Sequence, residues 1–479
     1  MSEMREYILD FMSRRELSMT RLSELLGYKS KTSLVRLMED GSREKSVLQF
    51  ETAMNRCFDL TAQEQSGLHR AVQIAIRGRT EYLAEEEMWH FVQGAEASVG
   101  TKLSVTECGT GAQIDLFERY SGMTDVQILL LNCLSVAVFP ILRALLARED
   151  VEVEHFICSD GNAAKTICAV NSLMPVFYEK RYHGFTYLNN PYDDATAPKG
   201  VMKADLMAVS YVLPDCERGE DVVVFSGRSE GTLLAHRGQR GVFVQSLGLK
   251  REMYTPLKRT YFHCSAFENY VQFSFDYAEL EKNRAIWKIK PDVGVDWIPV
   301  QILASALMEG SMADGELDES VVRALYEIYD QRFHNTISKR QPAHAILKHS
   351  AMRRFAMTGR TSDHFWAMRP FTPRERAAIL TELLRLQQRN PYFHIYFLRD
   401  DGMLRDAEIT LYDDLGILMT EAHTDYDLAA GHSEVMLVHP ELMRLFREFM
   451  MKSLVKHHAL PEEETCRILA ELIEIAENV

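Results

Sequence analysis

LSMTRLSELLGYKSKTSLVRLMEDGSREKSVLQFETAMNRCFDLT, residues 17 to 61, is the stretch on which the reading of this chain turns. Ser18 or Thr20 can cap a short helix, because either hydroxyl accepts a hydrogen bond from a first-turn N–H. Leu22, Leu25 and Leu26 recur at helical spacing and are expected to face inward. Gly27 stops that helix, as a glycine just past a helix end does. Tyr28, Lys29 and Ser30 form the turn. A third helix is predicted from Lys31 to Glu39, with Leu34, Val35 and Met38 on its buried side and Asp40-Gly41 ending it. A fourth runs from Val47 to Phe58 and buries Leu48, Phe50, Ala53, Met54 and Cys57. A fifth opens at Thr61, with Glu64 in capping-box spacing. Upstream, Tyr7, Ile8, Phe11 and Met12 predict a first helix over residues 2–15. Arg14 and Arg15 lie at its end, where cations suit the dipole.

Two short helices joined by a glycine turn, inside a set of five, give a helix-turn-helix layout. The stretch resembles the phage-repressor (Cro/C1, Xre) helix-turn-helix family. Leu22-Ser23 stands where that family has Leu-Ala, Leu26-Gly27 matches its Leu-Gly, and Glu39-Asp40-Gly41 matches its Glu-x-Gly. Where the family opens the second helix with a phosphate-contacting Gln, this chain has Met19. The resemblance covers about a tenth of the chain. It implies a double-stranded DNA operator as partner and a homodimer matched to operator symmetry. The physical reading reaches the same surface. The turn and third helix offer Lys29, Ser30, Lys31, Thr32, Ser33 and Arg36 to solvent. Cations of this kind neutralise phosphates or read guanine edges, and the hydroxyls supply short hydrogen bonds. A helical bundle used for protein contact, with these residues merely solvated, is the competing reading.

The whole chain carries a net charge of −15, but unevenly. Residues 1–80 hold 13 Lys and Arg against 11 Asp and Glu, while the remainder holds 41 against 58. A near-neutral N-terminal module on an acidic body suits DNA bound through one small domain, since the body repels non-specific phosphate contact. Eight irregularly spaced cysteines form no CxxC pair and several sit in apolar segments, the usage expected in a reducing cytoplasm. The N-terminus has no continuous apolar h-region, and no run approaches a membrane span, so neither a secretory leader nor a membrane partner is expected.

Beyond residue 66 the chain reads as helix to about 93, interrupted at Gly78, and then as a small, polar boundary from Gly94 to Gly111. Strand-like and helical segments alternate from Asp125. Strands are expected at 126–131, 151–158, 185–188, 204–213, 221–226, 231–236 and 285–290, with helices near 162–173 and 267–283. Residues 296–357 look mainly helical. Thr372-Pro373-Arg374-Glu375 opens a clear helix, and segments at 394–400, 407–412 and 416–422 suggest a small antiparallel sheet. Two terminal helices open at Pro440 and Pro461. The fold expected is multidomain, an all-α helix-turn-helix N-terminal domain followed by a large α/β region, a mixed sheet with packed helices. Its divisions are 1–80, the DNA-binding domain; 81–112, a helical connector; 113–310, an α/β sensor domain; and 311–479, an α+β domain suited to dimerisation.

The motifs of chemistry point elsewhere. There is no GxxxxGK[ST] phosphate loop, no HExxH, and no Cys or His pair at zinc spacing. Gly227-Arg228-Ser229-Glu230-Gly231 lies between two strands and reads as a hairpin turn. His263-Cys264 and His457-His458 are neighbours in sequence whose side chains diverge on a strand or helix. No cofactor, metal or catalytic residue is therefore expected. In an open α/β sheet, ligands bind outside the carboxyl ends of the strands. That rule nominates Asn132, Ser159, Asp160 and Asn162 for a small polar ligand, against a plain reading as turn and capping residues. The chain is thus expected to be a one-component transcriptional regulator whose large region senses a small-molecule or protein effector. A DNA-binding scaffold that holds another protein is the alternative, and an enzyme carrying a DNA-binding head the third.

Overall fold

The computed structural model describes residues 2–39, 44–93, 126–131, 146, 151–159, 163–177, 181–188, 223–227, 231–237, 254–261, 276–314, 319–338, 340–362, 368–405, 407–421 and 434–479. The chain divides into two compact units, Met1–Trp89 with Asn162–Ile167, and His90–Gly161 with Cys168–Val479. The strand expected at 204–213 lies outside the described residues. Among those described, no helix is long and apolar enough to cross a membrane.

The N-terminal region is helical: α1 (Glu3–Arg14), α2 (Met19–Leu25), α3 (Lys31–Leu37), α4 (Glu44–Cys57), α5 (Ala62–Arg77) and α6 (Arg79–Gln93). Several begin where local chemistry says they should. Ser2 caps α1 by accepting from Arg5 N–H, and its hydroxyl donates to the Met38 carbonyl at 2.6 Å. Thr61 and Glu64 form the expected capping box at α5. Met4, Ile8 and Phe11 of α1, Phe50 and Met54 of α4, and Leu68 and Val72 of α5 close on one apolar core with Leu22, Leu26, Leu34 and Leu37. Phe11 meets Phe58 edge to face with centroids 5.0 Å apart. Leu25, Val35, Leu48 and Cys57, expected inside, are exposed; Ser23, Leu37 and Val47 take buried positions instead. An apolar stripe on a short helix leaves its phase open by one residue, and the neighbouring helices decide it.

The larger region contains a mixed six-stranded sheet with helices. Its strands are β1 (Val126–Leu131), β2 (Val151–Ser159), β3 (Tyr182–Leu188), β4 (Val223–Gly227), β5 (Gly231–Arg237) and β6 (Tyr254–Pro256), in the order β4-β5-β1-β2-β3-β6. β1, β2 and β3 run parallel, and α7 (Ala163–Phe177) is the crossover between β2 and β3. Gly227 pairs with Gly231 at the end of the antiparallel ladder of β4 and β5, as a hairpin reading expects. The Gly-x-Ser-x-Gly spacing of this segment is that of a hydrolase nucleophile elbow, which needs a strand followed by a helix. Here a strand stands on both sides.

A second, seven-stranded sheet has the order β10-β9-β8-β11-β12-β13-β7. It comprises β7 (Lys258–Tyr261), β8 (Ile286–Lys290), β9 (Ala343–Leu347), β10 (Phe393–Phe397), β11 (Ala407–Tyr412), β12 (Gly416–Glu421) and β13 (Glu434–Leu437). β8, β9 and β10 are parallel, joined by α8 (Val300–Asp314) with α9 (Glu319–Ile337), then by α10 (His349–Thr358) with α11 (Pro373–Arg389). The other four strands are antiparallel to their neighbours. Two expectations change. Residues 296–357 contain the strand β9, and the strand at 393–397 pairs in parallel with β9 rather than with β11. β7 and β8 also share this ladder with strands beyond residue 310, so hydrogen bonding joins the segments 113–310 and 311–479. Alternate residues of β9 and β10 pack under α8, α10 and α11 and under the terminal helix α13 (Glu462–Asn478), around Leu347, Phe355, Leu383, Phe393 and Leu472. A further helix, α12 (Pro440–Phe449), runs on into a π-helical segment, Met450–His458. Thr372 caps α11 in the expected box with Glu375, whose carboxylate also takes two bonds from Arg369 at 2.7 and 2.9 Å.

Charge is buried beside β8. Lys288 lies 3.4 Å from Asp296 and 3.6 Å from Glu408, with its ammonium 5.2 Å from the Trp297 ring. Lys290 bonds Glu408. Arg332 forks onto Glu281 with bonds of 2.7 to 3.2 Å. Three cations thus meet three carboxylates. Burial alone would push Glu408 up, and the two lysines outweigh it and hold the carboxyl below its ordinary range. A Cβ on Gly294 would come within 2.3 Å of the Asp296 carboxylate, so glycine there is a condition of the pairing.

Two predictions test these contacts. Arg15, just past α1, forks onto Glu64 with bonds of 2.7 and 3.1 Å, and that pairing, joined by the Thr61 N–H, holds the Glu64 carboxyl at about 2. Since the folded-state value lies below the ordinary 4.5, the contribution is fully present above that pH and is lost as pH falls towards 2. Glu64→Gln should lower amide-exchange protection over Ala62–Arg77 at pH 7, with the deficit shrinking in acid; a deficit independent of pH would refute this. Arg332→Ala strands the Glu281 carboxylate inside the larger unit and should cost about 3–5 kcal/mol in urea unfolding. Replacing both partners by Met should recover most of it.

Candidate nucleic-acid interface

The α2–α3 segment is built by three local devices. Ser18 starts α2 by accepting from Arg21 N–H at 3.2 Å. Gly27 ends it at φ +76°, in the left-handed region that side chains with a Cβ avoid. The Tyr28 N–H then donates to the Ser23 carbonyl at 2.9 Å and the Gly27 N–H to the Glu24 carbonyl at 3.0 Å. This is a Schellman closure, which turns the chain out of the helix while satisfying its last carbonyls. Ser30, extended at φ −158°, opens α3 without spending its hydroxyl on a cap. Leu34 and Leu37 seat the helix in the core.

That seating decides what faces out. Lys29, Ser30, Lys31, Thr32 and Arg36 are exposed and Ser33 is half-buried, so the structure brings all six expected residues onto the turn and one end and side of α3. Between Leu25 and Met38 there are three cations and no carboxylate. Several arginines of the unit are neutralised: Arg14 by Asp10, Arg15 by Glu64, Arg21 by Glu24, Arg70 by Glu3 and Arg77 by Glu85. Lys29 and Lys31 make no ion pair with any described residue. Positive potential therefore gathers at the turn and the start of α3, and short hydroxyl side chains stand beside it. Such a surface can neutralise phosphates and hydrogen-bond base edges; it holds no nucleophile–base pair. Val35 belongs to the same surface and was not foreseen there. The only sequence signal for it is that Leu34 and Leu37, one turn apart, already supply a buried side.

Of the four residues nominated in the α/β region, Ser159 ends β2, at the carboxyl edge of the parallel strands β1–β3. Asn132, Asp160 and Asn162 lie outside the described residues. In the same sheet His155 is fully buried, with Nδ1 2.8 Å from the Tyr182 hydroxyl, and burial pushes its pKa down to about 3. It is a neutral interior group. Among the described residues, no cluster of His, Cys, Asp and Glu has the arrangement of a metal site.

Comparison of the chain with known protein families, with curated proteins and with solved structures finds no match.

The turn supports a direct test. A Cβ on Gly27 would meet no atom within 4 Å, so Gly27→Ala carries backbone strain alone and should cost about 1–2 kcal/mol. Leu34→Ala removes the seat of α3 and should cost roughly 2–5 kcal/mol. Thermal unfolding should rank them in that order, and Gly27→Asn should fall below Gly27→Ala, because Asn tolerates the left-handed region.

Proposed function

We propose that the chain is a transcriptional regulator that binds duplex DNA through α2, the Gly27 turn and α3, used as a helix-turn-helix. The observation that carries this reading is the exposed surface of Lys29, Lys31 and Arg36, three cations with no carboxylate between Leu25 and Met38. The likeness of Leu17–Thr61 to the phage-repressor helix-turn-helix family supports the same reading. On it, Leu34 and Leu37 hold α3 while its outer side enters the major groove. Lys31 and Arg36 neutralise phosphates or take guanine edges, and Thr32 and Ser33 bond bases or backbone.

One such module buries little DNA surface, so two copies acting on two half-sites are the natural functional form. The larger unit is then the sensing part. An effector that binds better to one arrangement of two copies than to another shifts operator occupancy by that difference in affinity.

The test is fluorescence anisotropy of the full chain on duplexes tiling the DNA upstream of its own coding sequence, across a salt series. Wild type should bind one tile with a steep salt dependence. Lys31→Ala with Arg36→Ala should lower the log–log slope by about 2 and weaken binding on the order of ten-fold or more near physiological salt. Equal binding by both proteins, or no binding to any tile, would overturn the proposal; the latter would leave the helical unit as a protein-contact module.

A further inference from the structure

The geometry points to Val35 as a residue that reads thymine, its exposed isopropyl group seated against a thymine C5-methyl in the major groove. This rests on the DNA-binding reading above and adds a base-specific role to it.

Val35 is 41% exposed. Its place matters more than its exposure, since single apolar side chains are common on protein surfaces. Leu34 and Leu37 fix the buried side of α3, so the outer side is made by Lys31, Thr32, Val35 and Arg36. Val35 follows Thr32 by three positions and Lys31 by four, the two spacings that bring helical side chains alongside each other. It is therefore the apolar member of a surface otherwise made of a hydroxyl and cations.

Each neighbour has a partner in the groove or on the backbone that matches its chemistry; an isopropyl group has one. Thymine alone among the four bases presents a methyl group in the major groove. A β-branched side chain on a helix is already held in essentially one χ1 rotamer. Its two methyls are thus presented at a fixed place, and little conformational freedom is lost on contact. Arg36, next to it in sequence, supplies the positioning charge that would bring the helix to the groove.

The test separates this inference from the reading beneath it. Duplexes that bind the full chain are first selected from a random-sequence library. The winning duplex is then remade with each thymine replaced singly by deoxyuridine, which removes only the methyl. Wild type should lose about four-fold in affinity at one or two thymines, the worth of one buried methyl group. Val35→Ala should bind the deoxyuridine and thymine duplexes alike at those positions. Val35→Ile serves as the conservative variant and should keep the deoxyuridine penalty. Selection of a duplex whose thymines are all replaceable without loss would overturn the role of Val35 and leave DNA binding standing. So would a penalty that persists undiminished in Val35→Ala. A change in self-association with the penalty intact would assign Val35 to an interface between copies. Failure to select any duplex would overturn both readings together.

Discussion

Seven residues cannot hold a helix in water, because nucleation costs more than so few hydrogen bonds return. α3 is helical because Leu34 and Leu37 are buried, and their burial depends on a pocket that other helices make. Phe11 of α1, Phe50 and Met54 of α4, and Leu68 of α5 share that core with them. The Arg15–Glu64 fork ties the end of α1 to the start of α5. The same Glu64 oxygen that takes the Arg15 bond also accepts the Thr61 N–H at 2.9 Å. One carboxylate therefore fixes both where α5 begins and where α1 ends against it. The outward surface of α3 is a consequence of that closure, so its charged residues are presented by the core and not by the helix's own propensity.

The two units use the same residue types in opposite ways. In the larger unit, Lys288, Lys290 and Arg332 are buried and each has a carboxylate within 4 Å. Removing such charges from water is costly, and their mutual attraction roughly offsets that cost, so the gain lies in fixing which strand and helix face each other. Lys290 and Glu408 sit opposite on neighbouring antiparallel strands, next to the paired Ile289 and Ile409. A slip of one residue would turn each away to the other face and leave charges unpaired in an apolar layer. In the helical unit, Lys29 and Lys31 are solvated, make no ion pair with a described residue, and fix no register. A cation that neither stabilises its neighbours nor specifies their packing is best understood by what it meets from outside.

How much of this could be read from sequence follows the range of the interaction concerned. The capping boxes at Thr61 and Thr372, the stop at Gly27 and the strands at 126–131, 286–290 and 407–412 depend on neighbours a few residues away, and all were legible. β9 was not, because Ala343–Leu347 is a buried five-residue run set between helices, where alternation gives no signal. Strand partnership was not legible either. β10 reads equally well beside β11, its neighbour in sequence, and only the crossover through α10 and α11 places it parallel to β9. The six polar and charged residues of the candidate interface were legible because solvation is their default. Val35 was misread because Leu34, Val35, Leu37 and Met38 make a stripe wider than the core can take. Which edge of the stripe is left outside is settled by helices far away in sequence.

The acidity of the whole chain is no obstacle to a DNA-binding surface of this size. At physiological ionic strength charges more than about 8 Å apart through solvent are largely screened. A phosphate held by Lys31 would feel that cation at contact distance. The segment between Leu25 and Met38 itself carries no carboxylate, with Glu24 and Glu39 on either side of it. On the proposed DNA-binding reading, the excess acid outside residues 1–80 would lower affinity for any duplex that offers only phosphates. A duplex that also offered matched base edges would regain what is lost, and the steeper that difference, the more occupancy would depend on the few side chains on the outer side of α3.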